Sequence, residues 1–211
     1  DGQNLGRGIF GGPGQPVNVN VAFNNFAIES QGEIYNVRDT TAADDQLSTS
    51  LAQNSAIAKA AAFNSSSDQH GVIMTAEAAR FVSTGTVTAA TLDSDTYLEI
   101  NDVKLSGFRI ENNDASGVLT DAINAASDET GVIARLNAKG RLVLFAEDGR
   151  NIEFGVQGFG AAYVGQADNS TIVEGGRVEV ISRTSFSFAN NAVGAVSNDI
   201  ALGGSSVTQN T

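Results

Sequence analysis

The stretch that decides the fold is residues 97–154, YLEINDVKLSGFRIENNDASGVLTDAINAASDETGVIARLNAKGRLVLFAEDGRNIEF. Its first residues, 97–101, alternate apolar and polar side chains, which predicts a strand with one buried face. Asn101-Asp102 has the chemistry of a turn, and residues 103–105 resume the alternation. The stretch therefore opens with two short strands joined by a tight turn.

The rest of this stretch predicts a helix followed by a hairpin. Asp114 or Ser116 can cap a helix because either side chain can accept orphan backbone N–H groups. Asp148-Gly149 predicts a hairpin turn between the two strands that flank it, since both residues tolerate positive φ. A helix lying on a curled antiparallel sheet would bury the apolar surface of both. The apolar stripe of the helix consists of Val118, Leu119, Ala122, Ile123 and Ala126.

Similar patterns lie on both sides of the central stretch. Alternation predicts strands at residues 17–23, 34–38 and 175–188, with residues 26–29 as a return strand. The predicted class is α+β, mostly antiparallel β-sheet with two short helices, near Leu51–Ser65 and Ser116–Ser127.

An internal repeat organises these elements. Residues 62–73 align without a gap on residues 122–133, and seven of the twelve pairs are identical. We therefore expect two related strand–helix–hairpin units, at residues 17–90 and 91–165. The C-terminal strands of 166–211 are expected to pack back on the first unit, and the glycine-rich residues 1–16 to be a flexible or strand-entry segment. The identical pairs are Ala62/Ala122, Asn64/Asn124, Ser67/Ser127, Asp68/Asp128, Gly71/Gly131, Val72/Val132 and Ile73/Ile133.

Composition restricts the classes of function. The chain has 211 residues, 41% of them apolar, and a net charge of −12. That charge argues against partners such as nucleic acid, whose phosphates require a basic face, and against anionic membrane surfaces. The absence of cysteine from the sequence excludes disulfides and thiolate chemistry. No apolar run approaches the roughly 20 residues that span a bilayer.

The residues that can carry chemistry are few. The one histidine, His70, aligns with Thr130 in the repeat, which favours an ordinary loop residue. The remaining candidates are acidic residues for calcium, glycine-rich segments for phosphate and two glycosylation triplets, and each has a simpler reading as turn or loop chemistry. We therefore predict no catalytic, cofactor-binding or metal-binding residues, and no enzyme activity. These candidates are Asp93, Asp95, Asp102, Glu147 and Asp148; residues 6–14 and 155–160; and the triplets at Asn64 and Asn169.

Residues 97–154 resemble the flagellin hook IN motif of bacterial flagellins and hook-associated proteins. Residues 62–72 resemble a weaker second copy, in which residues 81–85 stand where the motif has a Gly-Arg-Leu hairpin. Residues 176–180 are similar to the strand that follows these motifs in flagellins with a long central region. The resemblance rests on Leu98–Val103, Ala122–Ala125, Thr130–Ala134, Gly140–Leu144 and Glu147–Ile152.

The resemblance implies the central outer, D2/D3-like region of a flagellin, a structural component of the filament involved in motility and antigenicity. It implies secretion without a cleaved signal to an extracellular flagellum. The heptad-bearing terminal helices of flagellins are absent from this sequence. We therefore expect a monomer that would contact neighbouring flagellin subunits through those missing regions, with weak contacts between outer domains. The alternative is a hook-associated protein or a flagellin-like surface adhesin module that binds glycan.

Overall fold

The computed structural model describes residues 6–10, 16–158, 161–182 and 184–189. Over these residues helix accounts for 21% and strand for 36%, and every strand pair is antiparallel. The predicted α+β class with mostly antiparallel sheet is therefore confirmed.

The elements follow in chain order. The first part of the described chain contains β1 (Gly6–Phe10), β2 (Ala27–Ser30), β3 (Glu33–Asn36), α1 (Ala56–Asn64), α2 (Ser67–His70), β4 (Val72–Glu77), β5 (Ala79–Val82) and β6 (Ala90–Leu92). The second part contains β7 (Tyr97–Ile100), β8 (Val103–Leu105), β9 (Phe108–Ile110), α3 (Val118–Ala125), α4 (Ser127–Thr130), β10 (Ile133–Leu136), β11 (Leu142–Ala146), β12 (Ile152–Gln157), β13 (Ser170–Glu174), β14 (Arg177–Ser182) and β15 (Phe186–Ala189). Short 3₁₀ turns occupy Ala42–Asp44, Ala52–Asn54, Asn112–Asp114 and Ala161–Val164.

The chain divides into two compact units. Unit 1 comprises residues 1–78, 148–151 and 175–211, and unit 2 comprises residues 79–147 and 152–174. The repeat in the sequence placed the boundary between units after residue 90, whereas the contacts place it after residue 78. In the N-terminal segment predicted at residues 1–16, the structure describes the strand β1. In the C-terminal segment predicted at residues 166–211, residues 190–211 lie outside the described residues.

Unit 1 consists of two three-stranded sheets and the helix α1. The sheets have the orders β1-β14-β4 and β15-β2-β3, and α1 packs against β4. Phe26 lies at the centre of an aromatic cluster, with its ring centroid 4.1 Å from that of Phe23 and 5.3 Å from that of Phe188. Phe63 of α1 approaches the same ring edge-on at 6.3 Å. The core of unit 1 is therefore closed by rings drawn from distant parts of the sequence.

Unit 2 consists of two sheets, a two-stranded ribbon and the helix α3. The sheets have the orders β10-β11-β5 and β13-β12-β7-β8, and β6 pairs with β9. Leu119 and Ile123 of α3 are fully buried in the core, as the predicted apolar stripe requires. The partners of these two residues in that core include Leu98, Ile100, Val132, Leu142, Leu144, Ile152 and Phe154.

Both predicted helices exist, and each is shorter than predicted and followed by a one-turn helix. α1 begins at Ala56 because the Ser55 hydroxyl accepts the N–H of Ala58 at 3.0 Å. α3 begins at Val118, and the Asp114 carboxylate accepts the N–H groups of the first turn at 2.9 and 3.0 Å. Of the two candidate caps, Asp114 and Ser116, Asp114 is therefore the one whose side chain caps the helix.

The strand predicted over residues 17–23 is wrong. The chain there is irregular, although Val17, Val19 and Phe23 are buried as the alternation indicated. Asn18 accepts the N–H of Asn20 through its side-chain oxygen at 3.0 Å, which bends the backbone out of an extended course. The alternation therefore predicted correctly which side chains are buried, but it did not predict whether the backbone pairs as a strand.

The hairpin predicted around Asp148-Gly149 is also wrong. β11 lies between β10 and β5, and β12 lies between β7 and β13, so both edges of each strand are already occupied. The hairpin of this region is formed instead by β10 and β11, whose connecting turn contains Gly140 at φ +67°. Asp148-Gly149 does turn the chain, and the turn leads into a different sheet.

Lys59 is an unusual member of the core of unit 1. Its side chain is fully buried in α1, and Nζ donates to the carbonyl oxygen of Asn18 at 2.8 Å. Burial lowers its pKa from 10.5 to about 7, because the low-polarity surroundings penalise the charged ammonium.

The buried lysine predicts that stability rises with pH. Between about pH 7 and 10.5 the unfolded chain binds the proton and the folded chain does not, so the free energy of unfolding increases across this window. The stability that depends on neutral Lys59 is lost as pH falls through its folded pKa. Urea denaturation at pH 7, 8.5 and 10 should show this rise, on the order of a few kcal/mol.

The Lys59→Met variant should lose most of the rise, whereas Lys139→Met, at an exposed position, should keep it. A wild-type profile that is flat or falls from pH 7 to 10 would contradict the prediction.

Candidate functional site: a duplicated asparagine clamp

The repeat places an asparagine at the same point in both units, near the C-terminal end of a helix. In unit 1 the Asn64 amide nitrogen donates to the carbonyl oxygen of Met74 at 2.7 Å, and its oxygen accepts the N–H of Met74 at 2.9 Å. One side chain therefore satisfies both polar groups of one residue of β4. We call this pair of hydrogen bonds the asparagine clamp.

Unit 2 contains the same clamp. The Asn124 amide nitrogen donates to the carbonyl oxygen of Ala134 at 3.1 Å, and its oxygen accepts the N–H of Ala134 at 2.7 Å. The one-turn helices α2 and α4 follow, and each ends at a glycine with left-handed backbone, Gly71 at φ +71° and Gly131 at φ +70°. The prediction that both repeats end their helix alike and continue into the same kind of strand is confirmed.

The clamp covers the edge of a sheet. β4 and β10 are each the last strand of their sheet in the described chain. An exposed edge offers unpaired N–H and C=O groups to which another strand can add. The asparagine amide, with one donor and one acceptor, takes the place of that strand at the centre of the edge.

The residue before each glycine also bonds this part of the chain, through a backbone N–H group two residues before the clamped residue. In unit 1, His70 Nδ1 accepts the N–H of Val72 at 3.2 Å, and in unit 2, Thr130 Oγ1 accepts the N–H of Val132 at 3.1 Å. His70 is fully buried, which lowers its pKa, and its Nε2 lies 3.3 Å from the carbonyl oxygen of Phe63. His70 is therefore the last residue of α2 and a backbone partner, and not the loop residue that the sequence suggested.

Two of the five acidic candidates, Asp93 and Asp148, also bond the chain itself. The Asp93 carboxylate accepts the N–H groups of Asp95 and Thr96 at 2.9 and 2.8 Å, an arrangement that lowers its pKa. Asp148 pairs with Arg150, with an N–O distance of 2.7 Å. Among the described residues no three histidine or acidic side chains are grouped closely enough to hold a metal ion.

The glycine-rich and glycosylation candidates serve the fold as well. Gly155 lies inside β12 against Glu99, and Gly158 has φ +96° beside Asp95 and Thr96. Asn64 of the first triplet is held in the clamp, while Asn169 of the second is exposed in a turn. Residues 11–14, 159 and 160 of the glycine-rich segments lie outside the described residues.

One surface was not found from the sequence. On the outer side of the sheet β10-β11-β5, the guanidinium carbons of Arg135 and Arg80 lie 4.7 and 5.8 Å from the centroid of the Phe145 ring. Ile133, 43% exposed, is directly opposite Phe145. We call these four residues the basic face. Only the pairing of β5 with the distant hairpin β10–β11 brings them together.

Comparison with known proteins finds similarity over part of the chain. Residues 98–148 match the model of the flagellin hook IN motif. Over 71 residues the chain is 42% identical to Flagellin B from two strains of Helicobacter pylori. That alignment covers 34% of this chain and 12% of each relative.

The clamp predicts a specific loss when Asn124 is replaced. Asn124→Ala removes both hydrogen bonds to Ala134, and leaving these backbone groups unpaired should destabilise unit 2 by about 1–3 kcal/mol. Urea denaturation gives the stability, and amide hydrogen exchange at Ala134 gives the local opening. Asn124→Asp keeps the acceptor but sets a carboxylate oxygen against the Ala134 carbonyl oxygen at the C-terminal end of α3, so it should be at least as destabilising as Asn124→Ala. Equal stability of the wild type and both variants would refute the clamp.

Proposed function

Because residues 98–148 form a flagellin hook IN motif, we propose that this chain is the outer, solvent-facing part of a bacterial flagellin and a structural component of the flagellar filament. The similarity to Flagellin B over 71 residues supports this proposal. The matched part of the chain spans about an eighth of the length of those relatives.

The observation that carries the proposal is the duplicated clamp. In both units the polar side chains at the equivalent repeat positions are bonded to the protein's own backbone; they are Asn64, His70, Asn124 and Thr130. Such use of polar groups stabilises short sheets that display a surface, and it supports a structural role rather than a catalytic one. A net charge of −12 further suits a soluble, hydrated exterior.

The proposal includes an extracellular setting on the flagellum. There the chain would form part of the surface that solvent and antibodies meet, and subunits would be joined through terminal regions of the full protein. No described helix is long and apolar enough to cross a membrane. A hook-associated protein would carry the same motif but would lie only at one end of a filament, which separates it from a filament subunit by position.

Cysteine labelling of intact filaments tests the proposal. The sequence lacks cysteine, so Ile34→Cys introduces a single thiol at a position that is 60% exposed. A membrane-impermeant maleimide dye applied to living cells that carry this variant should label filaments along their entire length. Labelling confined to a filament end would favour the hook-associated alternative, and an absence of filament labelling would overturn the proposal.

Ala58→Cys is the matched control, because Ala58 is fully buried in α1 and its thiol should stay unlabelled while the filament is intact.

A further inference from the structure

The basic face combines positive charge with exposed apolar surface. Phe145 on β11 is directly opposite Ile133 on β10 and Arg80 on β5, so the three side chains form one row across the sheet. Arg135 lies two residues beyond Ile133 on the same side of β10. Ile133, Arg135, Phe145 and Glu147 help to line a shallow groove of about 250 Å³.

The two arginines differ from others in the chain. Arg38 and Arg150 form ion pairs with Asp44 and Asp148, with N–O distances of 2.6 and 2.7 Å. Arg80 and Arg135 are exposed, and within the described residues neither forms an ion pair. The chain contains 24 acidic and 12 basic residues, so two guanidinium groups without an ion pair are unusual in it. Their charge remains available to a partner.

The composition of the basic face is that of a protein interface. Arginine and aromatic residues are enriched at the centres of interfaces and supply most of their binding energy. Both guanidinium groups are held over one ring, a cation–π arrangement that restricts their motion before binding. A partner would therefore lose less side-chain entropy on binding here than at freely moving arginines.

We propose that the basic face binds a carboxylate-bearing surface on a second copy of this chain. Charge complementarity points to a second copy as the partner, because each copy carries a net charge of −12 and so offers many carboxylates to the two guanidinium groups. This proposal rests on the proposed function, since a filament holds many copies at effective concentrations in the millimolar range. Repulsion between two acidic chains keeps the contact weak, with a dissociation constant on the order of 1 mM for the free chain.

Sedimentation equilibrium at up to about 1 mM chain tests this contact. The wild type should show concentration-dependent dimer formation, and the double variant Arg80→Glu, Arg135→Glu should weaken it at least about tenfold by placing like charges at the contact. The control is Arg109→Glu, Lys139→Glu, which makes the same change in net charge at two exposed positions outside the basic face. The control should associate nearly as well as wild type apart from general repulsion.

Cross-linking identifies the occupant. Ile133→Cys supplies a single thiol for a benzophenone maleimide, and the labelled chain is mixed with ¹⁵N-labelled chain before irradiation. Cross-links between ¹⁴N and ¹⁵N peptides should map to acidic segments of the second copy. They should be lost in the background of Arg80→Glu, Arg135→Glu and kept in the control background.

Three outcomes would overturn the inference. In the first, the wild type stays monomeric at about 1 mM and gives no mixed cross-links. In the second, both double variants weaken association equally. In the third, the basic face binds an acidic glycan saturably and no contact between chains is found. None of these results bears on the labelling of intact filaments, so the inference can fail while the proposed function holds.

Discussion

The two hydrogen bonds between an asparagine amide and one backbone residue are the constraint on which both units depend. Each clamp connects a helix end to the edge of a sheet and leaves no central polar group of that edge unpaired. Burial alone could not fix this geometry, because apolar contacts have no direction. The amide bonds set how far each helix lies along its strand, and the buried Phe63 and Ile123 beside them then fill the core.

The equivalence of the two helix ends was predicted from the sequence because of the internal repeat, whereas the hydrogen bonds of the clamp were not. Asn64 and Asn124 stand among the identical pairs, and their shared environment follows from the shared sequence around them. The cap at Asp114 was also foreseen, since capping depends on residues only a few positions apart. The strand at residues 17–23 was misjudged because burial of alternate side chains does not require a paired backbone.

Strand pairing between distant segments was beyond the sequence signals. Turn chemistry at Asp148-Gly149 is local, and it cannot tell whether the next strand joins the same sheet. β11 pairs with β5, which precedes it by some sixty residues, and that pairing also creates the basic face. This chemically distinctive surface of unit 2 thus depends on a pairing between segments that are far apart in the sequence. The structural role of His70 was missed for a similar reason. Its hydrogen-bond partner Val72 is close in sequence, but the burial of the His70 side chain depends on segments that are distant in sequence.

The discontinuous path of unit 1 has a consequence for how the molecule is made. β4 pairs with β14, and β2 pairs with β15, so both sheets of unit 1 join segments separated by about a hundred residues or more. A chain that emerges with its N-terminus first holds β1 and β4 without their shared partner β14 until residues 177–182 follow. The strands of unit 2 emerge together in between and can pair sooner, because closing a shorter loop costs less entropy. Assembly would thus proceed from the inside of the sequence outward, and a truncation before β14 would leave the sheets of unit 2 complete and unit 1 without β14 and β15.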